Sequence, residues 1–152
     1  MFELHTLGWR SFQDLCAAVL REVWGQSVQP FADSRDAGRN GAFYGQWRNS
    51  SSGLDVPAGP FVMQCKFLSH RDKTLSVSGL RDELTKIKHL VSQGLCGSYV
   101  LMTNARVTGT SEQAIRQAIA GQGVVHPLVL GGNWINQTIA LNRRLRMFVP
   151  RS

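Results

Sequence analysis

The chain has 152 residues and a mass of 16.8 kDa, which suits one domain with one core and is short for two ordinary domains. Hydrophobic residues make up 43% and charged residues 18%, with seven Phe and four Trp, so enough apolar side chain is present to exclude wholesale disorder. No run approaches the roughly 20 apolar residues that a bilayer crossing needs, and Met1-Phe2-Glu3-Leu4-His5 lacks the basic and then apolar layout of a secretory signal. The expectation is a soluble cytoplasmic protein with no membrane contact.

Seventeen Lys and Arg stand against ten Asp and Glu, a formal charge of +7, and thirteen of the cations are Arg. Arg grips phosphate bidentately, so a polyanion, nucleic acid above all, is the expected partner; a basic surface that merely aids solubility is the plainer alternative. Cys16, Cys65 and Cys96 are odd in number, widely spaced and set among apolar neighbours. They read as buried thiols in a reducing compartment, neither a disulfide framework nor a zinc site.

In chain order, a helix is expected from Ser11, as N-cap, through Trp24, with Phe12, Leu15, Cys16, Val19 and Val23 at helical spacing and Gly25 as the stop. Gln13 falls off that stripe. A short β-leaning stretch from Ser27 to Ala32 leads into Asp33-Ser34-Arg35-Asp36-Ala37-Gly38-Arg39-Asn40-Gly41, too polar and glycine-rich for helix and read as a functional turn between strands. Ala42 to Trp47 is the returning strand, and Asn49 to Gly59, rich in Ser, Gly and Pro, is a surface loop.

Phe61 to Leu68 is the clearest strand, with Phe61, Met63, Cys65 and Phe67 on one face and Gln64 and Lys66 on the other. A loop containing Arg71 and Lys73 precedes a helix capped by Ser78, with Asp82 and Glu83 in or near its first turn and Leu80, Leu84, Ile87 and Val91 as its stripe, ending at Gly94. Ser98 to Met102 reads as a buried strand. Thr110 and Gln113 have capping-box spacing ahead of a helix that stops at Gly121 or Gly123, Val124 to Leu130 is a further strand, and Asn133 caps a helix through Leu141. Strands alternating with helices in the second half imply parallel pairing, and the first half reads as a helix followed by a hairpin. The expected fold is a three-layer α/β domain.

The chemistry is concentrated in an acid of a glycine-rich turn, Asp36, and the polar face of the following strand. Hydrolysis of a phosphodiester needs oxygen ligands for Mg²⁺ and a cation that orients or activates the attacking water. Asp36, the Gln64 side-chain oxygen and the Cys65 carbonyl can supply the oxygens, and Lys66 the cation. Asp33 is a rival ligand. Two residues apart on one strand, Gln64 and Lys66 project in parallel about 6 to 7 Å apart at their Cα atoms. Arg35, Arg39, Arg71 and Lys73 are candidate phosphate contacts, as are Lys86 and Lys88, which serve equally well as a solvated helix face.

Asp36 within Asp-Ala-Gly-Arg-Asn-Gly, followed by Gln64-Cys65-Lys66, resembles the core of the PD-(D/E)xK restriction-endonuclease superfamily, and its Mrr-like branch in particular, in which Gln often replaces the second acid. The resemblance covers most of the chain, residues 1–142, and implies a restriction-endonuclease-like sandwich with a mixed central sheet flanked by helices. It implies cleavage of double-stranded DNA with Mg²⁺ or Mn²⁺, Asp36 as principal metal ligand, Gln64 as the second and Lys66 as the catalytic lysine. Relatives of this branch commonly carry Glu in the first helix where this chain has Gln13, so the resemblance also implies Gln13 as a catalytic-site residue, with Asp36 left as the single carboxylate. The basic tail, 143–152, with Leu145-Arg146-Met147-Phe148-Val149-Pro150-Arg151, is similar to the junction that follows nuclease domains of bacterial STAND ATPases in antiphage defence. That likeness implies an effector domain that forms homo-oligomers when a following ATPase or sensor domain drives it. The competing reading is a nucleic-acid-binding or oligomerisation module that kept the fold and lost the chemistry.

Overall fold

The computed structural model describes residues 2–30, 41–48, 56–70 and 74–149. Among the described residues five strands, β1 (Gln29–Pro30), β2 (Ala42–Trp47), β3 (Gly59–Lys66), β4 (Ser98–Thr103) and β5 (His126–Leu130), form one sheet in that spatial order. The pairs β1–β2 and β2–β3 are antiparallel, while β3–β4 and β4–β5 are parallel. Strand β3 is therefore central, the seam between the hairpin half and the crossover half. The parallel pairs require crossover connections, which α2 (Arg81–Ser92) and α3 (Gly109–Ala120) provide.

The period-two alternation of β3 and β4 divides the core in two. Phe61, Met63 and Cys65 join Val100 and Met102 beneath α1 (Gly8–Trp24) and α4 (Gly132–Leu141), with Phe12, Leu15, Cys16, Val19, Ile135 and Ile139 filling that layer. Val62, Tyr99 and Leu101 join Leu80, just before α2, Ile87 of α2, and Ile115 and Ile119 of α3 on the opposite face. The outcome is an α/β domain with a mixed sheet between two helical layers. Leu145 and Val149, in and just after a 3₁₀ turn at Leu145–Phe148, are buried in the α1 layer. Trp24 stands 5.8 Å from Trp47 and 5.6 Å from Trp134 between ring centroids, and Trp47 meets Phe61 edge-on at 5.2 Å, so these aromatics pack.

Several helix starts differ from the sequence reading, and in α1, α2 and α4 no side-chain cap marks them. Helix α1 begins before Ser11: a 3₁₀ turn at Leu4–Thr6 feeds Leu7 directly into the helix as its N-cap residue. Leu80, not Ser78, occupies the N-cap position of α2, behind a second 3₁₀ turn at Val77–Leu80. In α3 the capping box is Thr108 with Ser111, displaced from Thr110 and Gln113. Helix α4 starts after Gly131, not at Asn133, and a Cβ on Gly132 would collide with the Asn104 carbonyl, so the helix enters at a close backbone approach only glycine permits. Phe67 lies beyond the end of β3 yet still packs on the α1 layer, its ring 5.7 Å from that of Phe12.

All three thiols are buried. Burial pushes Cys96 up from 9.0 to about 11, and burial, then a hydrogen bond and charge from Cys65, pushes Cys16 well above the ordinary thiol range. A group held neutral in this way stabilises the fold fully below its unfolded pKa and loses that contribution as pH rises through the folded one. No described helix is long and apolar enough to cross a membrane. Thermal unfolding followed by circular dichroism is expected to show Tm falling as pH rises from about 9 to 11, with a shallower fall in Cys96→Ala.

Candidate functional site

The site is organised by the end of β3. In register, Gln64 lies opposite Ala42 of β2 and Leu101 of β4, and Lys66 lies opposite Thr103. Both side chains share the face of Val62, toward α2 and α3, as the two-residue period requires. Gln64 is only 3% exposed because its strand is flanked on both sides and roofed by helices. Its Nε2 donates to the Cys65 carbonyl at 3.5 Å, a long contact that nevertheless places the amide beside that main-chain oxygen. Lys66 is the last residue of a central strand, and its side chain is 16% exposed.

What holds Lys66 is an acid that the sequence reading treated only as a helix-start residue. The Lys66 Nζ donates to Glu83 Oε1 at 2.8 Å, and the Glu83 side chain is 4% exposed. Glu83 stands on the buried stripe of α2, between Leu80 and Leu84 and four residues before Ile87. An acid on an apolar stripe requires a counter-charge from the facing strand, and that demand was the signal available in the sequence. Tyr99, fully buried on β4, lines the same narrow gap as Glu83, Leu80 and Leu101. Its hydroxyl has no hydrogen-bond partner among the described residues, and burial, then the Glu83 charge, pushes its pKa well above 10.0.

Gln13 reaches the sheet from the α1 side, the face opposite Lys66. It is half-buried, and its Nε2 is buried with no partner among the described residues. A Cβ on Gly41 would stand 2.5 Å from that nitrogen, so the amide lies directly on the Gly41 backbone, a contact that a side chain there would displace. Gly41 in turn accepts a hydrogen bond from Cys65 N at 3.0 Å. Gln13 is therefore next to the β2–β3 pairing on the face opposite Lys66, off the buried stripe of α1 as expected but half-buried against Gly41.

Gln64, Cys65 and Lys66 come together at one strand end, with Glu83 added. Asp36, Asp33, Arg35, Arg39, Arg71 and Lys73 lie outside the described residues. Among the described residues no three His, Cys, Asp or Glu side chains form a metal-holding group. Gln64 and the Cys65 carbonyl carry the oxygens next to Lys66 in the strand, a kind that suits a hard cation such as Mg²⁺, with the Gln64 nitrogen turned to that carbonyl here; the Cys65 thiol sits on the other face, beside Cys16.

The chain leaving the site is fixed by Asn104, 3% exposed at the end of β4. Its Oδ1 accepts from Leu68 N at 2.8 Å and its Nδ2 donates to Leu68 O at 2.7 Å, so one side chain clamps both main-chain groups two residues beyond Lys66. Sequence reasoning missed this clamp, since a lone Asn after a strand carries no distinctive pattern. Compared with models of known families, with curated proteins and with solved structures, the chain matches none. Asn104→Ala leaves two main-chain groups without their partner and is expected to lower unfolding stability by about 1–3 kcal/mol in urea titrations, with native secondary structure retained.

Proposed function

We propose that the chain is a nuclease domain of the PD-(D/E)xK restriction-endonuclease type, nearest the Mrr-like branch, hydrolysing phosphodiester bonds of double-stranded DNA with Mg²⁺ or Mn²⁺. The observation that carries the reading is the placement of Gln64 and Lys66 side by side on one face at the carboxyl end of β3, with the Lys66 ammonium directed by a buried carboxylate. Asp36 precedes Gly41 by five residues in the sequence, and Gly41, just before β2, accepts a hydrogen bond from Cys65 N on the neighbouring strand. Exposed Arg106, in the segment that leaves β4, and the net charge of +7 favour a polyanionic substrate.

In this reading the Gln64 amide oxygen, the Cys65 carbonyl and the Asp36 carboxylate would hold the cation, which would supply Lewis-acid polarisation of the phosphoryl group and of the attacking water. Lys66 orients the attacking water and stabilises the negative charge that grows on the phosphate during in-line displacement. Gln13 supports the Gly41 end of the hairpin. The tail's likeness to nuclease–ATPase junctions extends the proposal to an antiphage effector whose activity rises on oligomerisation.

A second reading, a DNA-binding module without chemistry, is favoured by one observation: Gln13 supplies an amide where relatives carry an acid. The two readings separate in one assay. Plasmid DNA incubated with the protein and Mn²⁺ is expected to be nicked or linearised, with EDTA abolishing cutting and Asp36→Ala and Lys66→Ala each lowering it by at least about 100-fold. Cutting unchanged in both variants rejects the site. Salt-sensitive DNA binding that survives Asp36→Ala, with no cutting by the wild type as monomer or after induced oligomerisation, supports the module.

A further inference from the structure

We infer that Glu83 is a positioning residue of the proposed nuclease, acting through Lys66; the inference rests on the nuclease reading above. Four observations lead to it. Glu83 is 4% exposed, and its Oε1 sits 2.8 Å from the Lys66 Nζ. It occupies the first turn of α2, where the helix N-terminus favours negative charge. It is walled by Leu80, Leu84, Ile87, Tyr99, Leu101 and Ile119, so it has little room to turn elsewhere. Lys66 has a long flexible stem and a compact ammonium head, and a strand backbone alone leaves that head free to sweep through several rotamers.

The pair therefore does what the strand cannot. Glu83 fixes the direction of the Lys66 side chain and ties it to α2, so the ammonium is already placed when phosphate arrives. The cost of reorganising Lys66 is met in folding instead of during turnover. Glu83 itself touches no substrate in this arrangement. Its removal acts on the rate of the chemical step, and leaves the binding of DNA and of the divalent cation to other groups.

The test is steady-state cleavage of a fluorescent duplex by the full chain, wild type against Glu83→Gln and Glu83→Asp, with Mn²⁺ titrated in each case. Glu83→Gln is expected to lower kcat about 10- to 100-fold, in the range seen when an outer partner of a functional group is lost. KM for DNA and the Mn²⁺ concentration for half-maximal rate are expected to stay within about twofold, and Glu83→Asp, which keeps the charge, to recover part of the loss. If Glu83→Gln fails to fold by circular dichroism, Glu83→Asp carries the test: a kcat lowered about fivefold or more at unchanged KM supports the role, and an unchanged kcat overturns it. A raised Mn²⁺ requirement overturns it as well, since Glu83 would then be a metal ligand. An active wild type with an equally active Glu83→Gln removes the positioning role and leaves the nuclease reading standing. A wild type that cuts under no condition removes both.

Discussion

A carboxylate placed within an apolar layer must meet a cation, and the Glu83–Lys66 pair is that meeting. Glu83 belongs to a helix whose neighbours in the layer are Leu80, Leu84 and Ile87, and Lys66 is the last residue of the central strand. Removing one member of a buried pair typically costs about 3–5 kcal/mol, because the other charge is left without compensation. Lys66, at 16% exposed, retains some contact with water, which lowers that figure. The pair thereby couples the register of β3 to the seating of α2. A shift of β3 by one residue would carry Lys66 to the α1 face and leave Glu83 alone.

The sheet supplies the frame on which that pair rests. Strand β3 joins an antiparallel half to a parallel half, so its carboxyl end is bordered by the start of β2 on one side and the end of β4 on the other. Gly41, Cys65 and Gln13 tie the first border, and Asn104 with Leu68 ties the second. Polar groups converge at this end because the strand backbones stop there, and each stopped main-chain group needs a partner. Lys66 and Gln64 are consequently mounted on rigid backbone, with the clamped segment following directly.

The two residue types that sequence reading treated unevenly show why such reading reaches some features and misses others. Gln64 and Lys66 were legible because strand alternation is a local rule: once Phe61, Met63 and Cys65 are assigned to a core face, their neighbours must face the other way. Glu83 was visible as an acid in the first turn of a helix, and its spacing of three from Leu80 and four to Ile87 placed it on the buried stripe. Its partner lies 17 residues earlier in the chain, and no local rule names which strand will face which helix. The starts of α1, α2 and α4 differ for a related reason: Leu7, Leu80 and Gly131 are set by how the preceding turn and the packed backbone enter the helix, with no side-chain cap. In α3 a side-chain capping box does form, at Thr108 and Ser111, two residues before the expected pair.

From its residue order alone, the chain determined its element types, the two faces of the central strand, the burial of its thiols and the alternation that makes the second half parallel. These follow from short-range periodicity and from the cost of exposing apolar surface, both readable along a line. Tertiary structure alone decided that Lys66 is half-buried and paired, that Gln13 rests on Gly41, that Asn104 clamps Leu68, and that Leu145 and Val149 belong to the core. Each of these depends on which distant segments come within a few ångströms, a quantity set by the packing of whole layers and carried by no single stretch of sequence.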